Sequence, residues 1–132
     1  MPRWQARRRD ETGSAVVDFV LVLVVLVPVF LAIVQLALVL HVRNTLTAAA
    51  SEGARYAATV DRGPADGVAR TREQIRGAVS GQFADRISAR SSTIDGAPGV
   101  VVTVRATVPA LGLGGPGVDL VVTGHAIEET PP

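Results

Sequence analysis

Residues 19–40, FVLVLVVLVPVFLAIVQLALVL, run for 22 residues without a charge. About 20 predominantly apolar residues suffice to cross the hydrocarbon core of a bilayer as an α-helix. Pro28 and Gln35 interrupt the run, and Asp18 stands at its entrance. Most of the remaining positions are Leu, Val, Ile or Phe. Each favours insertion by about 0.3–0.6 kcal/mol near the membrane centre. A buried helix of a soluble domain is normally shorter and keeps a polar face. The run therefore predicts a membrane span.

Working outward, the residues before the span hold Arg3, Arg7, Arg8 and Arg9 against Asp10 and Glu11. His41 and Arg43 flank the other end. The excess of Arg on the first side predicts a cytoplasmic N-terminus and an extracytoplasmic C-terminal part. Residues 1–12 are short and polar, and read as disordered. A secretory signal, with AAA at residues 48–50 as its cleavage site, fits poorly because such signals use an apolar core of about 7–15 residues. The residues after Arg7–Arg8–Arg9 do not suit a twin-arginine signal.

Composition narrows the function classes. The segment after residue 40 has nine Arg and nine acidic residues, and the 13 basic residues of the chain are all Arg. A near-neutral body argues against nucleic acid, which requires a basic face. Cysteine is absent, which removes disulfides, thiolate catalysis and Cys-based metal sites. His41 and His125 are too few and too far apart for a metal centre. No Ser, Asp and His spacing resembles a nucleophile with its base. The glycine-rich LGLGGPG at residues 111–117 lacks a following Lys-Ser/Thr and precedes a strand, so a hairpin loop is the better reading than a phosphate cradle. These features predict a protein that is not an enzyme, with no cofactor, metal or small-molecule substrate.

The entrance to the span is more specific. GSAVVDF at residues 13–19 sets a small residue, Gly13, five places before Asp18. A carboxylate costs about 2.5–3.5 kcal/mol at the bilayer centre and less at its edge. Two readings follow from the residues. Either Ser14 caps a helix whose positive dipole end faces Asp18 in the first turn, or Asp18 is kept for a partner. Gln35 likewise allows an interhelical hydrogen bond or simple tolerance near the interface.

The helical pattern continues past residue 40. Val39, Val42, Leu46, Ala49, Gly53, Tyr56 and Val60 recur at three- and four-residue steps along one face. Ala49, Gly53 and Ala57 lie four apart, and small residues let another backbone approach closely. One helix is therefore expected over residues 14–59, leaving the membrane as an amphipathic stem that packs on its own C-terminal domain, on other subunits, or on both.

DRGP at residues 61–64 breaks that helix. A second helix is expected over residues 65–83, with Val68, Ile75, Val79 and Phe83 as its apolar stripe. Residues 84–92 are ambiguous. TID at residues 93–95 leads into a turn at 96–99. Residues 100–108 then alternate Val102, Val104, Ala106 and Val108 with Thr103, Arg105 and Thr107, a strand with one buried face. Residues 118–128 supply another strand. The fold class is α+β: a long N-terminal transmembrane helix and stem, a second helix and a small antiparallel sheet.

GSAVVDF followed at once by a long apolar helix resembles the processing region of type IV prepilins. Over the first half of the chain the pattern is similar to the TadE-like family, pseudopilins of tight-adherence (Flp-type) pilus systems. The residues that carry it are the GSAVVDF start, the proline in the apolar run and EGARYAA at residues 52–58. The resemblance implies a cytoplasmic leader of residues 1–13, a span and stem of 14–60, and a small extracytoplasmic domain of 61–132. It implies cutting by a prepilin peptidase between Gly13 and Ser14. It also implies that the freed Ser14 ammonium pairs with Asp18 of a neighbouring subunit. By polarity and spacing, Gln35, Ala49, Gly53, Tyr56 and Ala57 are the candidate helix-packing residues. Expected partners are the peptidase, other pilins and pseudopilins, pilus assembly proteins and membrane lipid, at the bacterial cytoplasmic membrane. Asp18 departs from the family's Glu by one methylene, which shortens its reach. An unprocessed, single-pass tethered binding module is the alternative.

Overall fold

A computed structural model describes residues 5–84, 86–113 and 115–130. Arg3 of the expected leader and Gly114 of the glycine loop lie outside them. Helix α1 covers Gln5–Ala57 and helix α2 covers Pro64–Ala78. Strands β1 (Ile87–Ile94), β2 (Ala97–Pro109) and β3 (Gly117–Ile127) form one antiparallel sheet in the order β1-β2-β3. The α+β class expected from the sequence is observed.

Helix α1 starts earlier than expected. Residues 5–12, read as disordered, are helical. Gly13 costs a helix interior about 1 kcal/mol relative to Ala, too little to stop a helix already supported by the long apolar run behind it. Ser14 is thus a mid-helix residue and not a cap, and Asp18 lies well past the first turn. The dipole account of Asp18 does not hold for this chain. Pro28 sits inside α1 without ending it.

The chain divides into two compact units, and the boundary falls within α1 after Leu36. In the first unit, among the described residues, the most apolar 18-residue window of the helix has no buried residue.

The second unit has an ordinary core. Val42, Leu46, Ala50 and Ala54 from α1, Ile75 from α2, Val100, Val102, Val104 and Val108 from β2, and Val122 from β3 are all buried. Burying a Val or Leu side chain contributes about 1.5–3 kcal/mol, so β2, lying between the other two strands, is the richest source. Its even-numbered residues from 100 to 108 are buried, and Thr103, Arg105 and Thr107 face away, as the alternation predicted. The outer part of α1 and α2 cover the buried face, which a three-stranded sheet of this size needs.

Turn chemistry fixes the register. Ile94 pairs with Ala97, so Asp95 and Gly96 alone make the β1–β2 turn. Both have positive φ, 50° and 84°, the type I′ geometry that suits the right-handed twist of a hairpin. Strand β1 therefore occupies most of the segment left ambiguous by the sequence, and the turn falls one residue earlier than the expected 96–99.

Helix α2 begins at Pro64, whose absent N–H is no loss in the first turn. The Asp66 carboxylate accepts the Gly63 N–H at 2.9 Å, satisfying an orphan donor. The helix stops at Ala78, five residues short of expectation. Val79 is extended, and its N–H closes the last turn on the Ile75 carbonyl at 2.9 Å. Gly77 and Gly81 flank this exit and weaken helical continuation. A 3-10 turn at Gly81–Ala84 then buries Phe83 and Ala84.

Candidate functional site

Two groups of residues carry the functional reading, one in each unit. In the first, Gly13, Ser14 and Asp18 are all helical and exposed. Ser14 and Asp18 are four residues apart, hence one above the other on the same helix face. A Cβ on Gly13 would meet nothing within 4 Å. Gln35 is half-buried.

The second group is EGARYAA at residues 52–58, and it holds α1 to α2. A Cβ on Gly53 would fall on the Thr71 hydroxyl and lie 2.8 Å from the Gly67 carbonyl oxygen. A Cβ on Gly67 would lie 2.9 Å from the Ala57 Cβ and 3.0 Å from the Gly53 carbonyl oxygen. The two helices thus meet backbone to backbone, at a contact open only to residues without a Cβ. Thr71 is buried, and its hydroxyl is satisfied by donating to the Gly67 carbonyl at 2.8 Å.

Charges and a ring rim this crossing. Glu52 faces Arg70 of α2 at 3.7 Å and Arg55 at 3.9 Å. Arg70 also pairs with Glu73 at 3.2 Å. The Arg62 guanidinium stacks over Tyr56 at 3.8 Å from the ring centroid, and Arg70 stands 5.7 Å from the same ring. The pairs are half-exposed, so each contributes on the order of 0–1 kcal/mol. Of these three ion pairs, only Glu52–Arg70 joins the two helices.

Of the predicted packing residues, Ala49, Gly53 and Ala57 are buried and Tyr56 is half-buried. Gly53, Tyr56 and Ala57 are brought together against α2 and the loop before it. Their contacts are therefore made within one chain. Sequence reasoning missed the receiving side: Gly67 and Thr71, four apart on α2, mirror Gly53 and Ala57 on α1. That matched pair of small-residue steps was the available signal. It also missed Gly124 of β3, where a Cβ would collide with the Ala50 carbonyl and the Ser51 nitrogen.

Among the described residues, no group of three or more acidic or histidine side chains is arranged to hold a metal ion. The chain has no match among curated proteins or solved structures. The family model described as TadE-like protein matches residues 13–55, so the expected resemblance is found, running from the Gly13 junction through the span to Arg55 of the segment that clasps α2.

Proposed function

We propose that this chain is a pilin-like membrane component of a tight-adherence pilus assembly or secretion system. In this reading it is processed after Gly13 and packs with neighbours through its N-terminal helix. The observation that carries the proposal is the exposed apolar run of α1 with the Asp18 carboxylate at its entrance. An ionisable group in such a place is normally accommodated by a partner of opposite charge. Cleavage would remove the leader arginines and leave Ser14 as an ammonium one helical turn from Asp18. That ammonium on one subunit neutralises Asp18 on the next. The TadE-like match over the same residues supports pilus assembly proteins as partners and membrane anchoring as the location. In this reading the N-terminus is cytoplasmic, which the excess of arginine before the span supports, and the domain of residues 61–132 lies outside.

One observation favours the alternative of an unprocessed tethered module. The helix runs through Gly13 without a break, so a peptidase must unwind that turn before the 13–14 bond is accessible.

Intact mass of the full chain extracted from native membranes separates the two. A chain beginning at Ser14, lost in Gly13→Leu, is expected. A full-length chain in cells that possess the peptidase overturns processing. Pilus assembly that survives Asp18→Ala overturns the charge pairing alone.

A further inference from the structure

The loop between β2 and β3 exposes two leucines. Leu113 is 87% exposed and Leu111 37%. The loop is closely built: Leu111 and Gly112 both take positive φ, 50° and 74°, and the Leu113 N–H donates to the Ala110 carbonyl at 3.0 Å.

Its position is informative. A Cβ on Gly112 would lie 4.0 Å from Leu38 Cδ2. Leu38 is two residues from the end of the apolar run, about 3 Å along a helix. Between the loop and the helix lies a groove of about 380 Å³ lined by Leu38, Val42, Phe83, Val108 and Pro109 among others. Pro109 also borders a second, polar cleft that holds Gln82, Arg86 and Arg105. Arg86 donates to the Thr107 hydroxyl at 3.2 Å, and that hydroxyl donates to Asp119 at 2.6 Å. His41 and Arg43 are exposed on α1 just past the apolar run. Among the described residues at this end of the domain, Arg43, Arg86, Arg105 and His41 thus stand against Asp119, near the exposed Leu111 and Leu113.

We propose that the 110–113 loop is a second membrane contact. Leu111 and Leu113 enter the interfacial layer of the surface from which α1 emerges, and Arg43, Arg86 and Arg105 face the phosphate headgroups. The inference rests on residues 19–40 spanning a bilayer: if they do, Leu38 lies at the edge of the hydrocarbon, and the loop beside it lies there too. Apolar tips below a basic rim are the chemistry of an anionic lipid surface. The contact ties the domain to the membrane at two points and limits its rotation about the stem.

The absence of cysteine from the chain allows single labels. The full chain carrying Leu113→Cys, Val25→Cys or Ser91→Cys is labelled with bimane and reconstituted in nanodiscs, one chain per disc, with lipids brominated near the headgroup and at mid-chain. Quenching of at least two-fold is expected at 113 and 25, and none at the exposed Ser91 of β1. Quenching at 25 without quenching at 113 overturns the proposal and leaves the span intact. No quenching at 25 overturns the span and the proposal together. Shielding at 113 that appears only with two chains per disc assigns the loop to a second copy and overturns the lipid contact.

Discussion

Gly53 of α1 and Thr71 of α2 stand so close that a single added methyl on Gly53 would occupy the place of the Thr71 hydroxyl. The two helices are fastened at a point where only hydrogen fits. Gly53 lies within residues 13–55, which the TadE-like family model matches, and at this position the fold requires a residue without a side chain.

Gly53→Ala sets two effects against each other. Alanine favours a helix by about 1 kcal/mol over glycine, and overpacking costs about 1–3 kcal/mol. With a carbonyl oxygen also 2.8 Å away, the clash wins. We expect a net loss of about 1–2 kcal/mol, read as a lower thermal midpoint in detergent. Thr71→Ala in the same chain restores part of it. An unchanged midpoint in Gly53→Ala would show that the helices separate freely.

Gly124→Val is expected to be worse. Its Cβ meets the Ala50 carbonyl and the Ser51 nitrogen, and backbone cannot swing aside as a side chain can. We expect a loss of about 3 kcal/mol or more, with the far-ultraviolet helix signal of the span retained. Protease sensitivity of the domain in reconstituted membranes reports it.

Tyr56→Ala removes the ring under Arg62 and beside Arg70. An exposed cation–π contact contributes about 0.5–1 kcal/mol. The loss should persist in high salt better than that of Glu52→Ala, whose pairs with Arg55 and Arg70 are half-exposed and screened by ions. Denaturation at low and high ionic strength distinguishes the two variants.

Gly96→Ala tests the hairpin. Gly96 has a φ of 84°, and an L-residue in that left-handed region costs about 1–2 kcal/mol. Chemical denaturation should show that loss. Asp95→Asn should be nearly silent, because Asn tolerates positive φ.

Much of this architecture was legible in the residues. The span followed from a charge-free run, and β2 from strict alternation of Val and Ala with Thr and Arg. Strand β1 was not legible, because ISARSSTI lies at a sheet edge where only some positions are covered. Its turn was written in Asp95-Gly96, a strong hairpin signal, but the richer Gly and Pro content of residues 96–99 obscured it. The early start of α1 was hidden by polar residues that look disordered and become helical ahead of the apolar run. At the candidate site, the small residues of α1 were visible by spacing. Their receiving partner on α2 was not, since a contact between two helices is a property of both and the second pattern is only one step long.

The seat of Gly124 on Ala50 joins positions 74 residues apart. Synthesis at about 5–20 residues per second puts roughly 4–15 seconds between the two. Throughout that interval the stem has been made, but the part of its face at Ala50 that seats Gly124 is not yet covered. Strand β3 follows α1, α2, β1 and β2 in the chain, so a nascent chain stopped before it has a stem still open at Ala50. Closure of the core therefore waits for β3, the third strand of the sheet.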